Sequence, residues 1–241
     1  MEFLKDLWAT FNECFLSDKR WLLYAKGLRN TLIISLGACL LGIVIGIIVT
    51  CIRIAPKENI IVKILDKICG VYVTVIRGTP VVLQLFICYF VLFIGIRSER
   101  FFGIKETEGV LVAIITFGFN SGAYMSEILR GGINAVDQGQ MEAGRSLGMS
   151  WLQTFIRIIL PQSLKSAIPT MFNEFITLIK ETSVAGYVGI IDLTKIQNYV
   201  TVQTMELFMP LILIAIIYLV IVLALEQVQK RIEKWLAKAE R

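Results

Sequence analysis

Residues 142–161 read EAGRSLGMSWLQTFIRIILP. This stretch is too polar to cross a bilayer and too long for a minimal turn. Residues Gln140 to Leu147 predict a short helix that ends at Gly148, because glycine readily takes the left-handed conformation that closes a helix. A second helix is expected from Trp151 to just before Pro161. The stretch is therefore interpreted as a rigid helical bracket that connects two apolar segments.

The composition around this bracket indicates an integral membrane protein. Of 241 residues, 56% are hydrophobic and 18% are charged, and the mean hydropathy is +0.72. The apolar residues fall in long blocks, as expected for several membrane spans. The net charge of +5 comes from basic residues beside these blocks, where the positive-inside rule explains them. Nucleic acid is therefore not expected as a partner.

Several function classes are excluded by what the sequence lacks. The chain has no histidine, and its five cysteines form no CxxC pair, so we expect no metal site and no disulfide framework. It also has no GxxxxGK[ST] phosphate loop, so it is not itself an ATPase. A membrane enzyme is disfavoured, because no metal cluster or nucleophile arrangement is recognisable.

The predicted fold class is an all-α integral membrane protein with five transmembrane helices. The clear spans are near residues 30–52, 72–96, 109–130 and 207–227, and a weaker one is near 166–187. With five spans the basic-rich segments share one side, as the positive-inside rule requires; these segments are 53–70, 131–165 and the tail after Glu226. The expected topology has the N-terminus outside and the C-terminus inside.

Three regions are expected along the chain. Residues 1–28 have apolar side chains at helical spacing and predict an amphipathic helix at the membrane interface, with a plain tethered tail as the equally weighted alternative. Residues 29–228 form the transmembrane domain, which contains the loop 139–161. Residues 229–241 form a basic tail.

The fourth span carries its polar residues on one side. At about 100° per residue they share an arc of roughly 120°; they are Thr170, Asn173, Glu174, Thr177, Lys180 and Glu181. Ionisable residues at membrane depth are costly and by default mark a site or face protein. Asn173, Glu174 and Thr177 are therefore candidates for substrate contact, with structural ion pairing as the alternative. Lys180 and Glu181 are interpreted as gate or structural pairs.

Other polar or small residues in the spans have competing interpretations. Gln84 could line a pathway or bridge helices. Glu127 and Arg130 stand at i, i+3 and are expected to form a structural ion pair. The pattern Gly42-x-x-x-Gly46 predicts close helix packing.

At this point the chain resembles a known family, the permease subunits of ABC importers. Their consensus is Glu-Ala-Ala, three residues, Gly, nine residues, Ile-x-Leu-Pro, and this sequence meets it at Glu142, Ala143, Gly148, Ile158, Leu160 and Pro161. Gly144 replaces the second alanine, a change expected to loosen the helix by about 1 kcal/mol. Three further segments resemble the polar-amino-acid branch, the histidine, glutamine, arginine and cystine type; they are 77–86, 124–133 and 173–183.

The resemblance implies the rest of a transport machine. It implies that Glu142, Ala143, Gly144, Gly148 and Pro161 couple the chain to a separate nucleotide-binding subunit, which would hold ATP and Mg²⁺; no cofactor is expected in this chain. It also implies a second permease subunit, identical or different, an extracytoplasmic binding protein, a polar amino acid as substrate, and a bacterial cytoplasmic membrane.

Two rival functions stay open at this stage. An ion-coupled secondary carrier would need inverted repeats, and the second half of the chain does not repeat the first. A non-transporting scaffold could use the same loop to recruit an ATPase, although a scaffold gives no reason for the polar side of the fourth span.

Overall fold

The computed structural model describes residues 2–238, which are largely helical. In this range β pairing is confined to an isolated bridge between Arg100 and Glu108. Short π-helices cover Asn12–Leu16, Cys88–Leu92 and Phe155–Ile159. The α-helices are α1 (Glu2–Phe11), α2 (Trp21–Ile54), α3 (Ile60–Gly78), α4 (Val81–Ile87), α5 (Val110–Asn134), α6 (Gln138–Ser146), α7 (Trp151–Thr154), α8 (Leu160–Glu181), α9 (Leu193–Thr204) and α10 (Phe208–Lys238).

Two helices of the described residues are both long and apolar enough to cross a membrane, and a bent pair adds a third. They are α2 with 34 residues and α10 with 31, and they contain the predicted spans 30–52 and 207–227. Helix α5 covers the predicted span 109–130, and α8 covers most of 166–187. With 25 and 22 residues, these two helices are about 33–37 Å long, which is sufficient to cross a hydrocarbon core.

The predicted second span, 72–96, is wrong as one straight helix. Helix α3 already begins at Ile60, inside the predicted connector 53–70, and ends at Gly78. After a break, α4 begins with Pro80 as its N-cap, and the two helical segments are bent by 108°. Proline has no backbone N–H and disfavours helical geometry at the preceding residue, which is why the chain turns at Thr79.

The expected helix end before Pro161 is also wrong. Helicity continues without a break from Trp151 to Glu181, through α7, a π-helix and α8. The backbone N–H of Leu160 bonds to the carbonyl of Phe155, five residues earlier. Pro161 therefore lies in the first turn of α8, where its missing N–H is tolerated.

The described residues divide into two units, and the first comprises 2–38, 80–117 and 177–225. Its core joins the N-terminal segment to α9 and α10, around buried residues that include Cys14, Tyr24 and Leu193. In the N-terminal segment, α1 is helical over Glu2–Phe11. Buried Asn30 of α2 donates to the backbone carbonyls of Glu106, at 2.6 Å, and Ile191, at 2.7 Å. The start of α2 thereby holds segments 97–108 and 188–206 together.

A buried carboxylate lies in the same network. Asp192 caps the N-terminus of α9 by accepting from the backbone N–H groups of Lys195 and Thr194. Burial raises the pKa of Asp192 from 3.8 to about 6, although the capping bonds favour the charged form. The sequence analysis did not identify this residue.

The second unit comprises 39–79, 118–176 and 226–238, so it contains segments 53–70 and 131–165 and the basic end of the chain. Within it α2 and α5 pack closely at glycines. A Cβ atom placed on Gly46 would lie 2.6 Å from the Cβ of Met125, and one on Gly42 would lie 2.9 Å from Ser121. This contact confirms the packing role predicted for both glycines. From the other side, Gly118 faces Leu41.

Candidate functional site

Helix α6 forms the first half of the predicted bracket and ends as the sequence predicts. Gly148 has a φ of +80°, the left-handed conformation. Its N–H bonds to the carbonyl of Arg145 at 3.0 Å, and the N–H of Met149 bonds to the carbonyl of Gly144 at 3.2 Å. These two bonds make a Schellman motif, which satisfies carbonyls that the helix end would otherwise leave open.

Side-chain caps fix where the two helices of the bracket begin. Asp137 accepts from the backbone N–H of Gly139 at 2.6 Å and starts α6. Ser150 and Gln153 form a reciprocal capping box at the start of α7. Caps of this kind stabilise a helix start by about 1 kcal/mol. The bracket is therefore ordered by its own local bonds.

The bracket presents one face to solvent and packs the other. Glu142 and Ala143 are exposed, and the side chain of Leu147 is 82% exposed. Gly144 is buried, and a Cβ atom placed on it would lie 2.5 Å from Cγ2 of Thr154. The glycine therefore permits a close contact between α6 and α7, which corrects the expectation that it merely loosens α6. Pro161 is exposed at the start of α8.

The second candidate site is the polar face of α8, formed by Thr170, Asn173, Glu174, Thr177, Lys180 and Glu181. Asn173 and Lys180 are exposed, whereas Glu174, Thr177 and Glu181 are half-buried. The opposite face is packed, because Ile176, Leu178 and Ile179 are at most 3% exposed. Neither Lys180 nor Glu181 takes part in an ion pair with another residue of 2–238. The helix thus turns its polar residues away from its packed side.

Gln84 lies elsewhere in the chain. It is half-buried in the middle of α4, four residues after the N-cap Pro80. Gln84 belongs to the first unit, whereas Asn173 and Glu174 belong to the second.

A third site gathers charge around Glu127 of α5. Its carboxylate contacts Arg130 at 2.6 Å, as the i, i+3 spacing predicts, and also Arg53 of α2 at 2.5 Å. Arg77, at the end of α3, lies 3.7 Å away, with its guanidinium 5.2 Å from the ring centre of Tyr124. Three helices therefore meet at one carboxylate.

Of these three arginines, only Arg130 is predicted to pair with Glu127, from its i, i+3 spacing. Arg53 belongs to the basic-rich segment 53–70 and Arg77 to the segment 77–86, and Arg77 lies in the last turn of α3. The sequence signal for further partners is Glu127 itself, a single carboxylate within the predicted span 109–130. That span contains few basic residues that could pair with it. An acid at that depth needs a counter-charge from another helix.

Comparison with known proteins gives three findings. The sequence pattern of the family described as "binding-protein-dependent transport system inner membrane component" matches residues 29–238. The arginine transport system permease protein of Bacillus subtilis is 35% identical over 211 residues, covering 87% of this chain and 90% of the relative. The nopaline transport system permease protein of Agrobacterium fabrum is 32% identical over 209 residues, covering 86% of this chain and 85% of the relative.

A solved structure extends the likeness to the fold. The crystal structure of an amino acid ABC transporter with histidines matches with a TM-score of 0.79 and 32% identity, covering 91% of this chain and 97% of that one.

Proposed function

Because this chain belongs to the family of inner membrane components of binding-protein-dependent transport systems, we propose that it is the permease subunit of an ABC importer for a polar amino acid. The chain is an integral membrane protein. ATP hydrolysis takes place in a separate subunit, which holds ATP and Mg²⁺, and a substrate-binding protein delivers the amino acid. The complete transporter contains two permease subunits, identical or different, in the bacterial cytoplasmic membrane.

The observation that carries this proposal is the exposed face of the bracket 139–161. A docking surface for an ATPase subunit must project from the membrane domain. It must also be stiff enough to transmit the movement of that subunit. Glu142, Ala143 and Leu147 project from α6, and the caps and the Gly144–Thr154 contact hold α6 to α7. Glu142, Ala143, Gly144, Gly148 and Pro161 are therefore the proposed coupling residues.

The topology that we propose has five spans, with the N-terminus outside and the C-terminus inside. The grouping of segments supports it, since the three basic-rich segments belong to one unit and the two poorer connectors to the other. The spans are α2, the bent segment α3–α4, α5, α8 and α10. The basic-rich unit would face the cytoplasm, on the same side as the bracket.

We further propose that Asn173, Glu174 and Thr177 on the polar face of α8, with Gln84 of α4, contact the amino acid. A carboxylate at this place would bind the α-ammonium group that all amino acids share, and the amide and hydroxyl groups would hydrogen-bond beside it. Glu127 and Arg130 serve as a structural pair, and Lys180 and Glu181, which form no ion pair within residues 2–238, serve as gate residues. The named relatives transport different compounds, so the amino acid is defined here only as polar.

The coupling assignment is tested by Glu142→Lys. Because Glu142 is exposed, the substitution should not impair folding. The reversed charge should, however, repel the surface of the ATPase subunit. In proteoliposomes that contain the whole transporter, we expect ATP hydrolysis to continue while amino acid uptake falls by more than about tenfold, because one mispaired interfacial charge costs several kcal/mol. Normal coupled uptake would refute the assignment, and Lys63→Glu on exposed α3 is the matched control.

The substrate assignment is tested by Glu174→Gln. The substitution keeps size and hydrogen bonding but removes the charge that would attract an ammonium group. We expect the amino acid concentration needed to stimulate ATP hydrolysis to rise about tenfold or more, in line with the loss of a charge-assisted hydrogen bond. An unchanged response across an amino acid panel would remove Glu174 from the site.

A further inference from the structure

A cavity of about 450 Å³ lies beside the Glu127 cluster, between the ends of α2 and α5 and the starts of α6 and α7. We propose that it binds an anionic phospholipid of the adjacent membrane leaflet, with the phosphate at Arg53 and Arg130 and the glycerol and upper acyl groups against Trp151 and Phe155. All of these residues belong to the second unit. The inference goes beyond amino acid transport and does not depend on the substrate.

Charge is the first ground for the proposal. Three guanidinium groups, those of Arg53, Arg77 and Arg130, surround the single carboxylate of Glu127, so positive charge is in excess. The acid among the residues that line the cavity, Asp137, already accepts a hydrogen bond as the cap of α6. A cavity with surplus positive charge attracts an anion, and arginine is the residue best suited to bind phosphate.

Free hydrogen-bond donors are the second ground. Arg53 uses only Nη1 in its bond to Glu127, and Arg130 uses Nε and Nη2. Among residues 2–238 the remaining guanidinium nitrogens of these two arginines have no hydrogen-bond acceptor. Their side chains are 23% and 39% exposed, which leaves the nitrogens within reach of a ligand. A phosphate group offers the acceptors that they lack.

The wall of the cavity indicates an amphiphile rather than a free anion. Trp151 and Phe155 also line the cavity, and their rings stack with centroids 5.2 Å apart and an angle of 3° between their planes. Ile54, Ile133 and Met141 complete an apolar wall. A small inorganic anion would leave this wall in contact with water, whereas glycerol and methylene groups would cover it.

The segment that follows the cavity is of a kind that contacts lipid. After five connecting residues beyond Ile54, α3 begins with exposed Ile60, Ile61 and Ile64, which are 66%, 61% and 52% exposed. Exposed Lys63 and Lys67 lie among them. Apolar side chains mixed with lysines are typical of a helix at a membrane surface with anionic lipids. Basic pockets between transmembrane helices on the cytoplasmic side bind anionic head groups of this kind.

The test uses the whole transporter with its associated subunits. It is reconstituted in bilayers of phosphatidylglycerol and phosphatidylcholine in equal amounts with matched acyl chains, and the lipids that stay bound are counted by native mass spectrometry. We expect phosphatidylglycerol to be retained in preference. Arg53→Gln should lower its retention about fivefold, the factor typical of one basic side chain beside an anionic surface. Lys105→Gln removes the same charge at an exposed position of segment 97–108, outside the cavity, and should retain lipid as the wild type does.

A second variant separates lipid binding from folding. Ile54→Trp narrows the cavity and keeps all three arginines, so it should also lose phosphatidylglycerol while the subunits remain assembled. Equal retention of the two lipids by the wild type would overturn the proposal, as would unchanged retention in both Arg53→Gln and Ile54→Trp. Displacement of the bound lipid by millimolar inorganic phosphate would identify a free-anion site and would equally overturn it.

Discussion

At the scale of single residues, Gly144 shows how a side chain of minimal size can determine a contact. The glycine is buried, and Thr154, whose hydroxyl donates to the carbonyl of Ser150 at 3.0 Å, lies directly against it. A short, hydrogen-bonded threonine has little freedom to move aside. The packing of α6 on α7 therefore depends on the absence of a Cβ atom at position 144.

We expect Gly144→Ala to destabilise the transporter, although alanine favours helices. The gain in helix propensity is about 1 kcal/mol, and overpacking costs about 1–3 kcal/mol. The melting temperature of the purified transporter should fall, and uptake should fall with it. Adding Thr154→Ser removes the nearer clashing atom, Cγ2 at 2.5 Å, but keeps Oγ1 at 2.9 Å, so it should restore part of the stability and of the uptake. As the control, Gly131→Ala adds a Cβ atom with nothing within 4 Å; a Gly144→Ala protein as stable as this control would contradict the prediction.

At the scale of elements, the pairing of α2 with α5 rests on two glycine pairs, each four residues apart. Gly42 and Gly46 of α2 face α5, and Gly118 and Gly122 of α5 face Leu41 and Ile45 of α2. Small residues at this spacing let two helices approach closely within a membrane, where packing drives association.

We expect Gly46→Ala to weaken this pairing. The new Cβ atom would lie 2.6 Å from Cβ of Met125, and overpacking of this kind costs about 1–3 kcal/mol. The matched control is Gly70→Ala in α3, where nothing lies within 4 Å. Chemical unfolding in detergent should give a lower free energy of unfolding for Gly46→Ala than for the wild type, and an unchanged one for Gly70→Ala. Equal free energies of unfolding would show that the glycines are not needed for close packing.

The elements also show why sequence predicts some features and misses others. Apolar runs indicated α2, α5 and α10, because hydropathy reports burial in lipid directly. The bend at Thr79–Pro80 was missed because the apolar run continues on both sides of it. Gly148 was correctly identified as a helix end, whereas Pro161 was not one, because the preceding π-helix changes the hydrogen-bond register. Two partners of Glu127, Arg53 and Arg77, are not predicted because they lie far from it in sequence.

At the scale of the whole molecule, topology is the property on which the proposed function depends. The five spans that we propose would place the bracket and the end of α10 on one side of the membrane and segment 97–108 on the other. Each of these places contains one strongly exposed residue. These are Leu147 of the bracket, 82% exposed, Trp235 near the end of α10, 69% exposed, and Phe102 of segment 97–108, 86% exposed.

Cysteine labelling tests this topology. In a background without the five native cysteines, we expect Phe102→Cys to react with a membrane-impermeant maleimide in intact cells. Leu147→Cys and Trp235→Cys should react only after the membrane is opened, and Trp235→Cys guards against masking of Leu147 by a bound partner. Labelling of Phe102→Cys and Trp235→Cys from the same side would require an even number of spans between them and would contradict the five-span topology.

The unbroken helix from Trp151 has a mechanical consequence. The second half of the bracket, from Trp151, and Glu174 belong to one continuous element. Helix α6, which carries the docking surface, is joined to this element by the turn 147–150 and by the contact of Gly144 with Thr154. Treated as a lever arm of 24 residues and about 35 Å, the helix would convert a tilt of about 5° at Trp151 into a displacement of about 3 Å at Glu174. That displacement is as large as the diameter of a water molecule. A small rotation of the ATPase subunit would therefore suffice to open or close a path for solvent.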